Sequence, residues 1–130
     1  MTSTSAAVKK RPKHLDLLRI SLPLPAKVSI LHRVSGALLF LALPVLVYWL
    51  DQSLDSAEGY AAAAAFFDHA LVKLAELLLV WSYAHHFCAG IRYLLLDLHI
   101  GIERIPANRS SALVLIASLV LTVLVGVSLW

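Results

Sequence analysis

Three long stretches of the chain are almost entirely apolar, and polar or charged residues separate them. They cover residues 30–50, 71–96 and 110–130. A helix needs about 20 consecutive apolar residues to cross a hydrocarbon core of about 30 Å. The pattern therefore predicts an all-α membrane protein with three transmembrane helices. Since these helices carry polar and small residues that favour neighbouring helices, we expect them to form part of a heteromeric helix bundle.

Composition agrees with a single membrane-anchor domain over residues 1–130. Hydrophobic residues make up 60% of the chain and charged residues only 15%, which is far from the average for soluble proteins. The net charge of +3 is small and unevenly placed, so it bears on membrane orientation and not on nucleic-acid binding. Because Cys88 is the single cysteine, an internal disulfide and an all-cysteine metal site are both excluded.

The distribution of basic residues predicts the orientation of the helices. Seven Lys and Arg residues precede the first span or lie at its start, none lies in residues 51–69, and two lie in residues 97–109. By the positive-inside rule the N-terminus is cytoplasmic and the C-terminus lies outside. Residues 1–28 are then a cytoplasmic N-terminal segment, and they do not have the pattern of a signal peptide.

Local signals refine the element boundaries. Pro23 and Pro25 predict a turn ahead of the first span, and Pro44 predicts a bend within it. The alanine-rich segment 59–67 favours helix and predicts an early start of the second helix, in continuity with residues 70–96. Near that start, Lys73 and Glu76 are three residues apart and able to pair on one helical face.

Adjacent histidines lie inside the second apolar segment, where ionisable groups indicate function. His85 and His86 are 100° apart on a helix, so they cannot both bind one metal axially. Gly90 lies one turn from His86 and predicts a notch in which a flat macrocycle could meet the backbone. His86 is therefore either an axial ligand of a b-type haem or a membrane histidine bonded to a neighbouring carbonyl or hydroxyl group. We assign His85 to packing or hydrogen bonding.

Arg92 and Asp97 close the same segment. The Arg92 side chain either extends to the membrane interface or neutralises a buried acid, such as a haem propionate or a carboxylate of a partner. Asp97 either caps the end of the helix or pairs with a nearby cation.

A second group of polar residues lies where the first span leaves the cytoplasmic surface. Ser29 and Arg33 are four residues apart and share one helical face. Together they could hold a carbonyl oxygen that gains negative charge during reduction, as a quinone oxygen does. The alternatives are an N-cap for Ser29 and a positive-inside anchor for Arg33. His32 either pairs with a haem propionate, donates a proton or fills space at the membrane interface.

Two ordered motifs carry a family resemblance. They are Arg11-Pro12 followed by Ser29-x-x-His32-Arg33-x-Ser35-Gly36, and His86-x-x-x-Gly90-Ile91-Arg92 with Asp97. With three spans of matching length, the chain resembles the cytochrome b556 subunits of succinate dehydrogenase, the larger membrane anchors of bacterial complex II. The resemblance covers essentially the whole chain and favours the ligand interpretation of His86.

The resemblance implies a role for each matching residue. His86 would be an axial ligand of haem b, with the second ligand a histidine of the smaller anchor subunit. Ser29 and Arg33 would lie at a ubiquinone site completed by the iron-sulfur subunit and the smaller anchor. His32, Arg33, Arg92 and Tyr93 would lie near the haem propionates or the haem edge. The location implied is the bacterial cytoplasmic (inner) membrane.

The sequence departs from the family pattern at three positions. Tyr93 stands where histidine is frequent, Lys13 replaces an apolar residue, and His99 stands where a small residue is common. The Tyr93 change puts a polar contact to the haem edge in doubt. None of the three coincides with His86 or Ser29.

The predicted function is a membrane anchor that completes a quinone site. Electrons from succinate would pass through a flavoprotein subunit and the iron-sulfur subunit to ubiquinone, with haem b close by. The chain has no flavin motif and no cysteine cluster, so it cannot oxidise succinate alone. The alternatives are the anchor of a fumarate reductase, a haem-binding membrane module without a dehydrogenase partner, and a structural anchor without a cofactor.

Overall fold

The computed structural model describes residues 21–129, and these residues form four helices. They are α1 (Leu24–Asp55), α2 (Ala57–Asp68), α3 (Ala70–Asp97) and α4 (Arg104–Leu129). The predicted all-α class is confirmed for this part of the chain. Arg11-Pro12, Lys13 and most of the predicted N-terminal segment lie outside the described residues.

Two of the described helices, α1 and α4, are long and apolar enough to cross a membrane. Helix α3 has the length but does not meet the same test of apolar composition. The physical reason is its content of polar side chains, because Lys73, Glu76, the two histidines and Arg92 all lie on it. The second predicted span, residues 71–96 on α3, therefore stays a prediction.

Helix α1 begins six residues before the predicted start of the first span. Pro23 is its N-cap residue and Pro25 lies in the first turn, where the missing amide hydrogen has no helical partner to lose. The prolines therefore begin this helix and do not separate a turn from it. Ser29 lies inside the helix, so the N-cap alternative for Ser29 is wrong. The helix continues past Pro44 to Asp55.

The predicted continuity between segment 59–67 and the second long helix is wrong, because the backbone breaks at His69. His69 has extended dihedral angles, with ψ at 131°, and its Nδ1 accepts a hydrogen bond of 3.3 Å from the Leu71 amide. Helix α2 has its own cap, in which the Ser56 hydroxyl accepts a 3.0 Å hydrogen bond from the Gly59 amide. Side-chain caps thus satisfy backbone donors at the starts of α2 and α3.

Lys73 bridges this break. Its Nζ lies 2.6 Å from Oδ1 of Asp68, the last residue of α2. This hydrogen bond and the nearby positive charge lower the pKa of the Asp68 carboxyl. The predicted pairing of Lys73 with Glu76 is not observed, since the ammonium group turns towards Asp68.

Helix α3 packs between α1 and α4, and small side chains line its contact with α4. Ala84 and Ala89 on α3, and Ser111 and Ser118 on α4, are buried. The two serine hydroxyls donate to carbonyl groups one turn earlier on α4, so each is satisfied within its own helix. Small residues allow close approach of helices in lipid, where apolar burial drives little association.

The backbone at the end of α3 shows why a small residue suits position 99, where this chain has histidine. The Ile100 amide donates a 2.9 Å hydrogen bond to the Leu95 carbonyl, and His99 between them adopts a left-handed backbone with φ at 62°. A turn of this kind favours glycine, because a Cβ atom is strained at positive φ.

We expect the His99→Gly variant to be more stable than the parent chain. Glycine reaches this backbone conformation without strain, and relief of a left-handed residue is worth about 1 kcal/mol. The free energy of unfolding in mixed micelles measures the change. Leu98→Gly is the control, because Leu98 has a negative φ of −81° and should lose stability. A decrease in both variants would contradict the strain at His99.

Candidate functional site

Helices α1 and α3 bring together two of the histidines singled out by the sequence. The imidazole rings of His32 and His86 are stacked, with centroids 4.1 Å apart and planes 10° from parallel. Tyr93 completes the cluster, with its ring centroid 5.1 Å from that of His32. Residues 54 positions apart in the sequence thus form one polar group between two apolar helices.

Contacts with α1 fix the orientation of the His86 ring. Its Nδ1 lies 3.0 Å from the backbone carbonyl oxygen of His32 and 3.4 Å from the Ser35 hydroxyl. Ser35 is fully buried and donates a 2.9 Å hydrogen bond to the same carbonyl oxygen. A carbonyl oxygen can only accept, so Nδ1 of His86 carries the proton and donates it. In the neutral ring the lone pair is then on Nε2.

Gly36 allows α1 to approach the His86 ring. A Cβ atom at position 36 would lie 2.7 Å from Cε1 of His86, closer than such atoms pack. The nearest side-chain atom to a Cβ at Gly90 is instead Nε2 of His32, at 3.9 Å. The notch expected beneath His86 at Gly90 therefore faces the His32 imidazole, and the glycine in contact with His86 is Gly36.

Ser29 and Arg33 lie one turn apart on α1, as predicted. Ser29 is half-buried and Arg33 is exposed. Neither side chain makes a hydrogen bond or an ion pair within the described part of the chain.

Arg92 is held inside the chain. Its Nε donates a 2.9 Å hydrogen bond to the Ser110 hydroxyl, and Nη2 lies 3.5 Å from the Ala107 carbonyl oxygen. The residue is only 6% exposed, so the side chain is enclosed by the protein. This contact with α4 is a third arrangement that neither sequence alternative contained. Nη1 makes no hydrogen bond among the described residues, so the role of Arg92 at the haem edge stays a prediction.

The Tyr93 hydroxyl is buried and has no hydrogen-bond partner among the described residues. Its ring lies 5.4 Å from the guanidinium carbon of Arg92. A buried hydroxyl without a partner is costly, by about 1–3 kcal/mol. The Tyr93 hydroxyl is therefore a donor in the cluster around His32 for which no described residue is the acceptor.

His85 and Asp97 take no part in this cluster. His85 is fully buried and stacks on Trp81 with centroids 5.3 Å apart, in agreement with the predicted packing role. Its ring nitrogens make no hydrogen bond of standard geometry within the described chain, although the Val28 backbone on α1 is close enough to interact with the ring. Asp97 is exposed at the end of α3, and neither an ion pair nor a cap involves it among the described residues.

Sequence reasoning missed Ser35 and Gly36 as parts of the site. Both lie in the motif that follows His32 and Arg33, so their signal was their place in that motif. Only the contact between α1 and α3 shows that they support the His86 ring.

Comparison with known proteins places the chain in a family of membrane proteins. Residues 7–126 match the family model described as the succinate dehydrogenase/fumarate reductase transmembrane subunit. A relative from Coxiella burnetii, the succinate dehydrogenase cytochrome b556 subunit, is 38% identical over 123 residues, which cover 93% of this chain and 98% of the relative. The proteins of the same name from Rickettsia felis and Paracoccus denitrificans are 30% and 32% identical, over 98% and 85% of this chain and 100% and 84% of their own lengths.

A helical membrane protein with this sequence similarity is an integral membrane subunit of a respiratory enzyme. The chain belongs to the family of succinate dehydrogenase/fumarate reductase transmembrane subunits.

Proposed function

We propose that this chain is the membrane-anchoring cytochrome b subunit of a succinate:ubiquinone oxidoreductase, with His86 as one axial ligand of haem b. The single observation that carries this proposal is the hydrogen bond from His86 Nδ1 to the His32 carbonyl. Histidines that bind metals generally donate their other ring nitrogen to a carbonyl or carboxylate oxygen. The bond leaves Nε2 as the atom with a free lone pair.

The residues of the site fit a haem group shared with another chain. Within the described residues no three His, Cys, Asp or Glu side chains are grouped so that they could hold a metal ion alone. A haem iron takes four ligands from the porphyrin, so one histidine from this chain and one from a second chain would complete its coordination. The smaller anchor subunit is the proposed source of the second histidine. When bound, haem b supplies a one-electron carrier within the membrane.

The side chains around His86 have proposed roles of their own. His32 and Arg33 would pair with the haem propionates, as charge and hydrogen-bonding capacity favour. The Tyr93 hydroxyl, buried without a partner, would donate to the haem edge, with Arg92 beside it.

Ser29 and Arg33 are the proposed quinone-binding residues. The Ser29 hydroxyl would orient a carbonyl oxygen of ubiquinone, and the Arg33 guanidinium would stabilise the negative charge that develops there on reduction. Arg33 is exposed and has no partner in the described chain, which leaves its donors available.

The proposed complex would explain why large apolar side chains are exposed on the outer surface of the chain. Helices α1, α3 and α4 would each cross the cytoplasmic membrane, with the N-terminus inside and the C-terminus outside. Large apolar side chains such as Phe40, which is 74% exposed, and Leu113, which is 66% exposed, would meet lipid or the smaller anchor. The iron-sulfur subunit and the flavoprotein subunit would attach on the cytoplasmic side.

The test is a reduced-minus-oxidised absorbance spectrum of the chain co-expressed and purified with its partner subunits. We expect a b-type haem signal in a complex that also contains flavin and iron-sulfur clusters. A haem-free spectrum from the intact complex would contradict haem binding. A haem signal without the soluble subunits would favour a membrane cytochrome that has no dehydrogenase partner.

The fumarate reductase alternative rests on the family model, whose description includes both enzymes. The two differ in physiological direction and not in the residues described here. Identification of the bound quinone and a redox titration of the haem distinguish them.

A further inference from the structure

Glu76 lies in an apolar groove and has no partner within the described chain. The groove has a volume of about 280 Å³ and is formed by α1, α2 and α3. Its lining includes Ala42 and Leu46 of α1, Phe67 of α2, and Val72 and Leu79 of α3. Glu76 is half-buried there as the single ionisable residue of the lining.

The nearest candidate cation is already engaged. Lys73 lies one turn before Glu76, but its Nζ is 2.6 Å from the Asp68 carboxylate at the end of α2. Glu76 is six residues from the start of α3, which is about 9 Å along the helix axis. At this depth an unpaired carboxylate is unfavourable, and acidic residues inside membrane helices generally pair with a group on another helix.

We propose that this groove receives a transmembrane helix of the smaller anchor subunit, which presents a basic or hydrogen-bond-donating side chain to Glu76. This inference rests on the proposed function, because it requires that the chain assemble with a second anchor. Charge complementarity selects the occupant. A purely apolar helix would fill the groove but leave the carboxylate without a donor.

A phospholipid is a poorer occupant. Its acyl chain would meet the apolar lining, yet it offers no donor to Glu76, and a headgroup phosphate carries the same sign of charge. A second copy of this chain is also a poorer occupant, because residues 51–69 on the same predicted side of the membrane hold four acidic residues and no lysine or arginine. A helix that carries a donor satisfies both the apolar lining and the carboxylate.

Site-specific photo-crosslinking in the complete complex tests the occupant. A benzoylphenylalanine residue replaces Ala75, which is exposed and lines the groove, and the control replaces Leu124, which is 64% exposed on α4. Both positions are five residues from a helix end on the same predicted side of the membrane. We expect a covalent adduct with the smaller anchor from position 75 and none from position 124. Adducts with lipid alone, with a second copy of this chain, or with no molecule would overturn the proposal.

Charge variants test the role of Glu76 itself. We expect Glu76→Lys to reduce the amount of smaller anchor that co-purifies by about tenfold or more, which corresponds to about 1.4 kcal/mol. Glu58→Lys is the matched control, because it makes the same charge change on the exposed surface of α2. Glu76→Gln should retain most of the assembly, since the amide oxygen still accepts a hydrogen bond. Equal effects of Glu76→Lys and Glu58→Lys would overturn the proposal.

The Lys73→Met variant tests whether Glu76 is instead satisfied by an ion pair with Lys73 of the same chain. If Lys73 were the membrane partner of Glu76, its loss would reduce assembly as strongly as Glu76→Lys does. We expect no such loss, because Lys73 pairs with Asp68. A complex that contains haem and the soluble subunits but gives no adduct at position 75 would refute the groove assignment alone, and the proposed function would stand.

Discussion

His86→Ala is expected to abolish the b-type signal in the reduced-minus-oxidised spectrum of the purified complex. The variant removes the imidazole that we propose as an axial ligand, whose Nδ1 is held by the His32 carbonyl oxygen. Loss of an outer partner of a metal-binding histidine typically weakens metal binding by about 10–100-fold, so loss of the ligand itself should exceed that range. The spectrum should be normalised to bound flavin, which reports the amount of assembled complex.

His85→Leu is the matched control for this variant. It removes a neighbouring imidazole that is fully buried but makes no hydrogen bond of standard geometry in the described chain. We expect the haem signal to persist at the parental level per flavin. If His86→Ala kept its signal while His85→Leu lost it, the two histidines would have exchanged roles and the assignment of the ligand would be wrong.

Ser110→Ala is expected to lower the free energy of unfolding by about 1.5–3 kcal/mol, the usual worth of a hydrogen bond to a charged group. The Ser110 hydroxyl is the closest acceptor of the Arg92 guanidinium, at 2.9 Å, and Arg92 is only 6% exposed. Without it, a buried positive charge keeps only the longer contact to the Ala107 carbonyl. Unfolding in mixed micelles at increasing SDS measures the effect.

Ser111→Ala provides the comparison. Ser111 is also fully buried on α4, but its hydroxyl donates to the Ala107 carbonyl one turn earlier and to no charged group. Its loss should cost about 1 kcal/mol or less. In the Ser110→Ala background, Arg92→Met should recover stability, because the uncompensated charge is then absent. Additive losses in the double variant would show that the two residues do not interact.

The pattern along single helices was predictable, because it depends on local physics. Apolar stretches of the right length located α1 and α4, and the basic residues at the start of the chain gave a testable orientation. The 100° rotation per residue correctly separated the environments of His85 and His86. The same rotation placed Ser29 and Arg33 one turn apart on α1.

Contacts between helices were not predictable in the same way. Sequence spacing pointed to Gly90 as the neighbour of His86, whereas Gly36 approaches it from another helix. It suggested Glu76 as the partner of Lys73, but a break at His69 brings Asp68 within 2.6 Å. Spacing within one helix cannot show which residue a second helix supplies.

The prolines near residue 24 illustrate a different difficulty. A proline excludes the interior of most helices but is favoured in the first turn, so Pro23 and Pro25 fit both a turn and a helix start. The structure selects the helix start, and Ser29 thereby becomes an interior residue of α1. Because proline fits both a turn and a helix start, contacts with the rest of the chain decide which of the two forms.

The bond between Arg92 and Ser110 bears on how the chain enters the bilayer during synthesis. As a proposed membrane span, α3 would carry Arg92 into the bilayer five residues from its end. An unpaired arginine there is unfavourable, by less than the about 2.5–3.5 kcal/mol that it costs at a helix centre. The acceptors for Arg92 are the hydroxyl and a carbonyl at the start of the next helix. If α3 spans the membrane as proposed, its insertion is most favourable when α3 and α4 enter the bilayer together as a helical hairpin, because the acceptors for Arg92 then enter with it.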